Sequence, residues 1–143
     1  MKFQKLRPGA KAPTYGSPEA AGADLYACLD APVTIMPGQT VKIPTGIAME
    51  IPKGYAGLIF ARSSLGVKRG LAPANKVGVV DSDYRGEFLI FLYNQSGEPQ
   101  TVAPEERVAQ LLIVPVRQET FEEVASLEET DRGQGGFGST GRF

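Results

Sequence analysis

The chain contains no histidine, so acid–base chemistry must fall to carboxylates, lysine or tyrosine. The densest group of such residues lies in GVVDSDYRGE, residues 78–87, where Asp81, Ser82, Asp83, Tyr84 and Arg85 fill a turn between two apolar runs. Asp and Gly build turns routinely, yet two carboxylates, a phenol and a guanidinium are more than a turn needs. Asp81 or Asp83 is therefore the candidate for activating a water molecule. ARSSLG, residues 61–66, places Arg62, Ser63 and Ser64 beside a glycine. That trio can meet a phosphate with guanidinium, hydroxyl and backbone N–H donors. The same serines can cap a short helix, whose N-terminus also favours anions. Gln110 interrupts the apolar run RVAQLLIVPV. If buried it must be hydrogen-bonded, either within the core or to a ligand. Asp24, in AGADLYA, reads by itself as a turn residue.

Residues 131–143, DRGQGGFGSTGRF, are rich in glycine, five of the thirteen, and GQGGFG fits the pattern G-x-G-x-x-G. As a dinucleotide fingerprint that pattern needs a strand before it, a helix after it and a surrounding βαβ unit. None of these is predicted here, so the Rossmann reading fails on context.

The elements that must position these residues are short strands. In TVKIPTGIAMEI, Val41, Ile43, Ile47, Met49 and Ile51 share one parity, while Lys42, Pro44, Gly46 and Glu50 share the other. A period of two describes a strand with one buried face. GYAGLIFA, KVGVV, GEFLIFLYN and RVAQLLIVPV are further strands, bounded by Gly, Pro, Asp or Asn. Pro115 puts the end of the last at a sheet edge or outside the ladder. Eleven prolines and seventeen glycines fall mostly between these runs, and the best helix candidate is one turn near SSLGVK. The pattern predicts an all-β jelly-roll-like sandwich or barrel. A core over residues 1–127 is followed by a flexible glycine-rich C-terminal arm, residues 128–143.

The 143 residues suit one domain with a single core, with 42% hydrophobic and 22% charged content. Fifteen basic residues against sixteen acidic give a net charge of -1, which disfavours a binder of nucleic-acid phosphates. Cys28 is the single cysteine, so neither an intrachain disulfide nor a Cys/His zinc site can form. The N-terminus, MKFQKLRPGAKAP, lacks the apolar core of a signal peptide, and no apolar run reaches membrane-spanning length. The expectation is a soluble, cytoplasmic protein, in which the glycosylation-like Asn94-Gln95-Ser96 is chance.

Together these segments resemble the five motifs of the trimeric dUTP diphosphatases. AGADLYA is similar to the first, ARSSLG to the second, GVVDSDYRGE to the third, EERVAQLL to the fourth and RGQGGFGSTG to the fifth, in family order. The resemblance runs from about Leu6 to the last residues. It implies a jelly roll, a homotrimer with one site at each subunit interface, and hydrolysis of dUTP to dUMP and diphosphate. Asp81 then corresponds to the carboxylate that activates the water attacking the α-phosphorus. Tyr84 corresponds to the ring beneath the deoxyribose that leaves no room for a 2′-hydroxyl, and Asn75 to the side chain at the uracil edge. Arg62, Ser63 and Ser64 match the donors to the α- and β-phosphates; many relatives have Gly at the position of Ser64. Gln110 matches a phosphate-contacting glutamine. Asp24 matches an aspartate near the waters of a triphosphate-bound Mg²⁺. In the fifth motif Arg132 would reach the γ-phosphate, Phe137 would stack on uracil, and Gly138, Ser139 and Thr140 would donate to phosphates.

The resemblance makes the tail a lid, disordered without nucleotide and ordered with it. Glycine lets backbone amides wrap phosphates, and closure expels water. Two further readings stand beside this one. A dCTP deaminase, or a bifunctional deaminase and dUTPase, shares the fold but reads cytosine and carries a different third motif. A non-enzymatic jelly-roll module would bind or regulate a partner, typically through an inserted segment that is not evident between the third and fourth motifs.

Overall fold

The computed structural model describes residues 1–136. Its strands are β1 (Lys2–Lys5), β2 (Thr14–Tyr15), β3 (Ala23–Tyr26), β4 (Val33–Ile35), β5 (Thr40–Pro44) and β6 (Ile47–Glu50), then β7 (Tyr55–Phe60). A single helical turn, α1 (Ser63–Gly66), is followed by β8 (Leu71–Pro73), β9 (Gly78–Val80), β10 (Leu89–Asn94), β11 (Gln100–Val102) and β12 (Arg107–Pro115). The all-β expectation holds, and the one helical turn falls at SSLG as the sequence suggests. No helix among the described residues is long and apolar enough to cross a membrane.

The largest sheet has the order β2-β3-β12-β7-β9, all antiparallel. A three-stranded sheet, β5-β10-β8, and two pairs, β1-β6 and β11-β4, complete the set. Between them lies one core that includes Leu25, Ile35, Ile43, Ile47, Leu71, Phe88, Ile90, Leu92, Val108 and Leu111. Each such side chain removed from water contributes about 1.5–3 kcal/mol before entropy is counted.

TVKIPTGIAMEI is two strands rather than one. The parity survives, with Ile43, Ile47, Met49 and Ile51 buried, but the chain kinks at Thr45 and Gly46. Gly46 has φ +69, and a Cβ there would lie 2.8 Å from Ala10 Cβ and 2.9 Å from Cys28 Sγ. Only glycine fits that position without strain.

Asn94 is fully buried. Its amide nitrogen donates to the carbonyls of Ile35 (2.9 Å) and Glu98 (2.8 Å), and its oxygen accepts from Ser96 N–H (2.9 Å) and Ser96 Oγ (2.7 Å). Every polar position of the amide is used, so the Asn-Gln-Ser triplet is a structural corner. Pro115 is the last residue of β12. Beyond it the chain from Val116 to Gln134 is exposed, including Phe121, Val124 and Leu127.

Candidate active site

Register in the central sheet assembles half of the predicted site. Gln110 on β12 stands opposite Asp24 on β3 and opposite Phe60 on β7, two residues before Arg62. Three motifs far apart in sequence therefore meet at one end of adjacent strands.

Asp24 is no turn residue: it lies on β3 and is 7% exposed. Arg62 Nε donates to its Oδ1 at 2.7 Å, and Arg107 Nη1 to its Oδ2 at 3.2 Å. One carboxylate thus carries two guanidiniums, which leaves a surplus positive charge suited to an anion. Arg107 was not singled out in the sequence. Its signal was its place three residues before Gln110, which the bulge at Arg107/Ala109 converts into proximity to Asp24. Arg62 also donates through Nη1 to Ser64 Oγ at 3.2 Å. Gln110 Nε2 donates to Ala61 carbonyl at 3.0 Å, so that side chain helps to hold the ARSSLG segment. Its Oε1 faces Gly22, where a Cβ would approach within 2.9 Å. The helix-capping position is occupied by Arg62, which makes no side-chain cap; Ser63 is the first helical residue and is exposed.

The second half sits elsewhere on the same chain. β9 pairs antiparallel with β7, Gly78 opposite Ile59 and Val80 opposite Gly57. Asp81 therefore leaves β9 level with Ala56, six residues along from Arg62. At about 3.3 Å per residue the two are separated by on the order of 20 Å. Asp81, Asp83 and Tyr84 are exposed.

The loop from Asp81 to Glu87 is closed by its own backbone and by the Arg85 side chain. Tyr84 N–H donates to Asp81 carbonyl at 3.2 Å, and Arg85 Nη1 to the carbonyls of Ser82 (2.8 Å) and Tyr84 (3.0 Å). The Tyr84 ring lies over Gly86, where a Cβ would collide with its hydroxyl at 2.3 Å. Its centroid is 6.4 Å from that of Phe88. Asn75, also exposed, has its amide nitrogen 3.4 Å from where a Cβ on Gly78 would be. It thus neighbours the end of β9 opposite Asp81, about 10 Å away at strand spacing.

Arg132 is exposed and donates through Nε to Gly135 carbonyl at 2.8 Å, a local turn. The positions assigned to Phe137, Gly138, Ser139 and Thr140 lie outside the described residues. Cys28 is half-buried, and burial pushes its thiol pKa up, with Arg7 opposing and Glu87 and Asp30 adding to the rise.

Comparison with known proteins gives this arrangement a family. The dUTPase family model matches residues 9–141. The chain is 51% identical over 143 residues to the deoxyuridine 5'-triphosphate nucleotidohydrolase of Thiobacillus denitrificans, covering 99% of this chain and 98% of that one. It is 54% identical over 132 residues to the protein of the same name from Desulfitobacterium hafniense, covering 92% and 87%. Among solved structures, a variant of the Staphylococcus bacteriophage 80alpha dUTPase, with dUpNHpp, superposes with a TM-score of 0.86 at 26% identity, over 98% of this chain and 97% of that one. Matched along nearly its whole length in sequence and in fold, the chain belongs to the dUTPase family.

Proposed function

We propose that this chain hydrolyses dUTP to dUMP and diphosphate at a site shared between subunits, with Asp81 activating the attacking water. The observation that carries this reading is the division of the site residues into two clusters on the order of 20 Å apart along β7. A triphosphate held by Arg62 cannot reach Asp81 of the same chain. A second copy can supply the missing half, and a head-to-tail contact that closes on itself gives a ring such as a trimer. The exposed apolar side chains of Phe121, Val124 and Leu127 favour an assembly, since contact with a neighbouring subunit covers such residues.

In the assembled site the nucleoside lies along β9, uracil toward Asn75 and phosphates toward Asp81. The Tyr84 ring packs against the deoxyribose, and a 2′-hydroxyl would collide with it. Arg62, with Ser63 and Ser64, donates to the α- and β-phosphates. Gln110 keeps its amide oxygen beside Gly22 and holds Ala61 in place. Asp81 accepts a proton from water as the water attacks the α-phosphorus, and diphosphate departs. Arg132 meets the γ-phosphate, Phe137 stacks on uracil, and Gly138, Ser139 and Thr140 complete the donors, with residues 128–143 closing over the core of residues 1–127. The residues best fit an enzyme of the cytoplasmic nucleotide pool.

Among the described residues no three His, Cys, Asp or Glu side chains converge on a metal position, and both oxygens of Asp24 accept from guanidiniums. The chain therefore fits Mg²⁺ carried by the triphosphate rather than a metal caged by protein. Bound there, Mg²⁺ would supply neutralisation of phosphate charge, and Asp24, held by its two arginines, would accept hydrogen bonds from the metal's waters.

A panel of dUTP, dCTP, dTTP and UTP, with diphosphate release as the readout, tests the reading. Turnover of dUTP alone supports it; conversion of dCTP to a uracil nucleotide would sink it in favour of a deaminase.

A further inference from the structure

The kink that splits TVKIPTGIAMEI leaves backbone groups without a ladder partner, and they meet the far end of the Asp81 loop. Gly46 N–H donates to Glu87 Oε1 at 2.7 Å, and Thr45 Oγ donates to Phe88 carbonyl at 2.6 Å. Phe88 N–H donates to Ile47 carbonyl at 2.9 Å. From the N-terminal segment, Arg7 Nη2 donates to Glu87 Oε2 at 2.7 Å, while Leu6 N–H donates to Gly46 carbonyl at 2.7 Å. The Glu87 carboxylate is 16% exposed, so the pair with Arg7 is shielded from water on one side. Glu87 also receives the Tyr84 hydroxyl on its own carbonyl, at 3.1 Å.

We propose that Glu87, clamped by Gly46 N–H and the Arg7 guanidinium, is a positioning residue that sets the orientation of the Tyr84 ring and the span of the loop beginning at Asp81. The loop is pinned at its start by β9. At its end the Glu87 side chain reaches across to a different strand pair, and the Tyr84 hydroxyl is anchored to the same residue. Losing the carboxylate frees Glu87 and the residues before it, while Phe88 stays held by Thr45 and Ile47. A loop free by about 1 Å moves the sugar-facing ring relative to Asp81, and displacements of that size cost up to about 100-fold in rate.

This inference rests on the reading of Tyr84 as the ring against the deoxyribose, and the experiment separates the two. Steady-state kinetics with dUTP and UTP are measured for Glu87→Ala, Glu87→Gln and Arg7→Ala, with thermal melting recorded for each. For Glu87→Ala the expectation is a fall in kcat of at least about 10-fold and a reduced preference for dUTP over UTP. Glu87→Gln, which keeps an acceptor for Gly46 N–H, restores most of both. Arg7→Ala, an exposed substitution that leaves the loop sequence intact, gives a smaller loss in the same direction. A Glu87→Ala protein that melts earlier but keeps wild-type kcat and sugar preference overturns the inference and leaves Glu87 a structural residue. Tyr84→Ala serves as the separate arm. If it keeps the preference for dUTP, the sugar reading of Tyr84 fails, and kcat of Glu87→Ala then decides the inference alone.

Discussion

Single side chains divide here into those that hold the site and those that act in it. Asp24 pairs with Arg62 and Arg107 at once. Asp24→Asn leaves two guanidiniums side by side, and a stability loss of about 2–3 kcal/mol is expected from chemical denaturation. Full burial would give more, but Arg107 is half in water. Asp81, in contrast, is exposed at a strand end, so Asp81→Asn should melt like the wild type, bind nucleotide and lose dUTP hydrolysis. Loss of binding with loss of hydrolysis would move Asp81 from catalysis to recognition. Asn94→Ala orphans the carbonyls and the serine that its amide satisfies, and about 2–3 kcal/mol should be lost without any change in KM. For Cys28 the raised pKa means that the thiol stays protonated to higher pH than a free cysteine. Iodoacetamide should therefore label it slowly at pH 8 and faster as pH rises, and rapid labelling at pH 8 would contradict the burial.

At the scale of elements, the kink at Thr45 and Gly46 is the joint between core and loop. Gly46→Ala puts a methyl group into Ala10 and Cys28 at a left-handed φ, and about 2–4 kcal/mol of destabilisation is expected in a melting series. The sequence made the strands legible because their apolar parity is local: Ile43, Ile47, Met49 and Ile51 alternate whether or not the chain kinks between them. It could not mark the kink, since Pro44, Thr45 and Gly46 also suit an edge strand, and the reason for glycine is the approach of Ala10 and Cys28 from distant segments. Asp24 reads by itself as a turn for the same cause. Its partners are 38 and 83 residues away, and only the pairing of β12 with both β3 and β7 brings them together. Asp81, Tyr84, Arg62 and Gln110 stand out as candidates in the sequence because an excess of polar groups in an apolar neighbourhood needs no tertiary knowledge to be noticed. Arg107 escaped notice because an arginine at the start of a strand reads as ordinary solvation.

For the whole molecule, the candidate site residues of one chain lie in two groups toward opposite ends of β7, and on the proposed reading activity belongs to an assembly. Deleting residues 131–143 should leave a trimer by analytical ultracentrifugation with a severe loss of turnover, because the core strands end at Pro115; a truncated protein with full activity would remove the arm from the mechanism. The shared site itself is tested most directly by subunit complementation. Arg62→Ala and Asp81→Asn proteins, each expected to be inactive alone, are unfolded together in equal amounts, refolded and assayed for diphosphate release from dUTP. If Arg62 of one subunit works with Asp81 of another, random mixing restores roughly a quarter of the sites, and activity returns. If both residues act within one chain, no mixture contains an intact site, and hydrolysis stays at the level of the separate mutants.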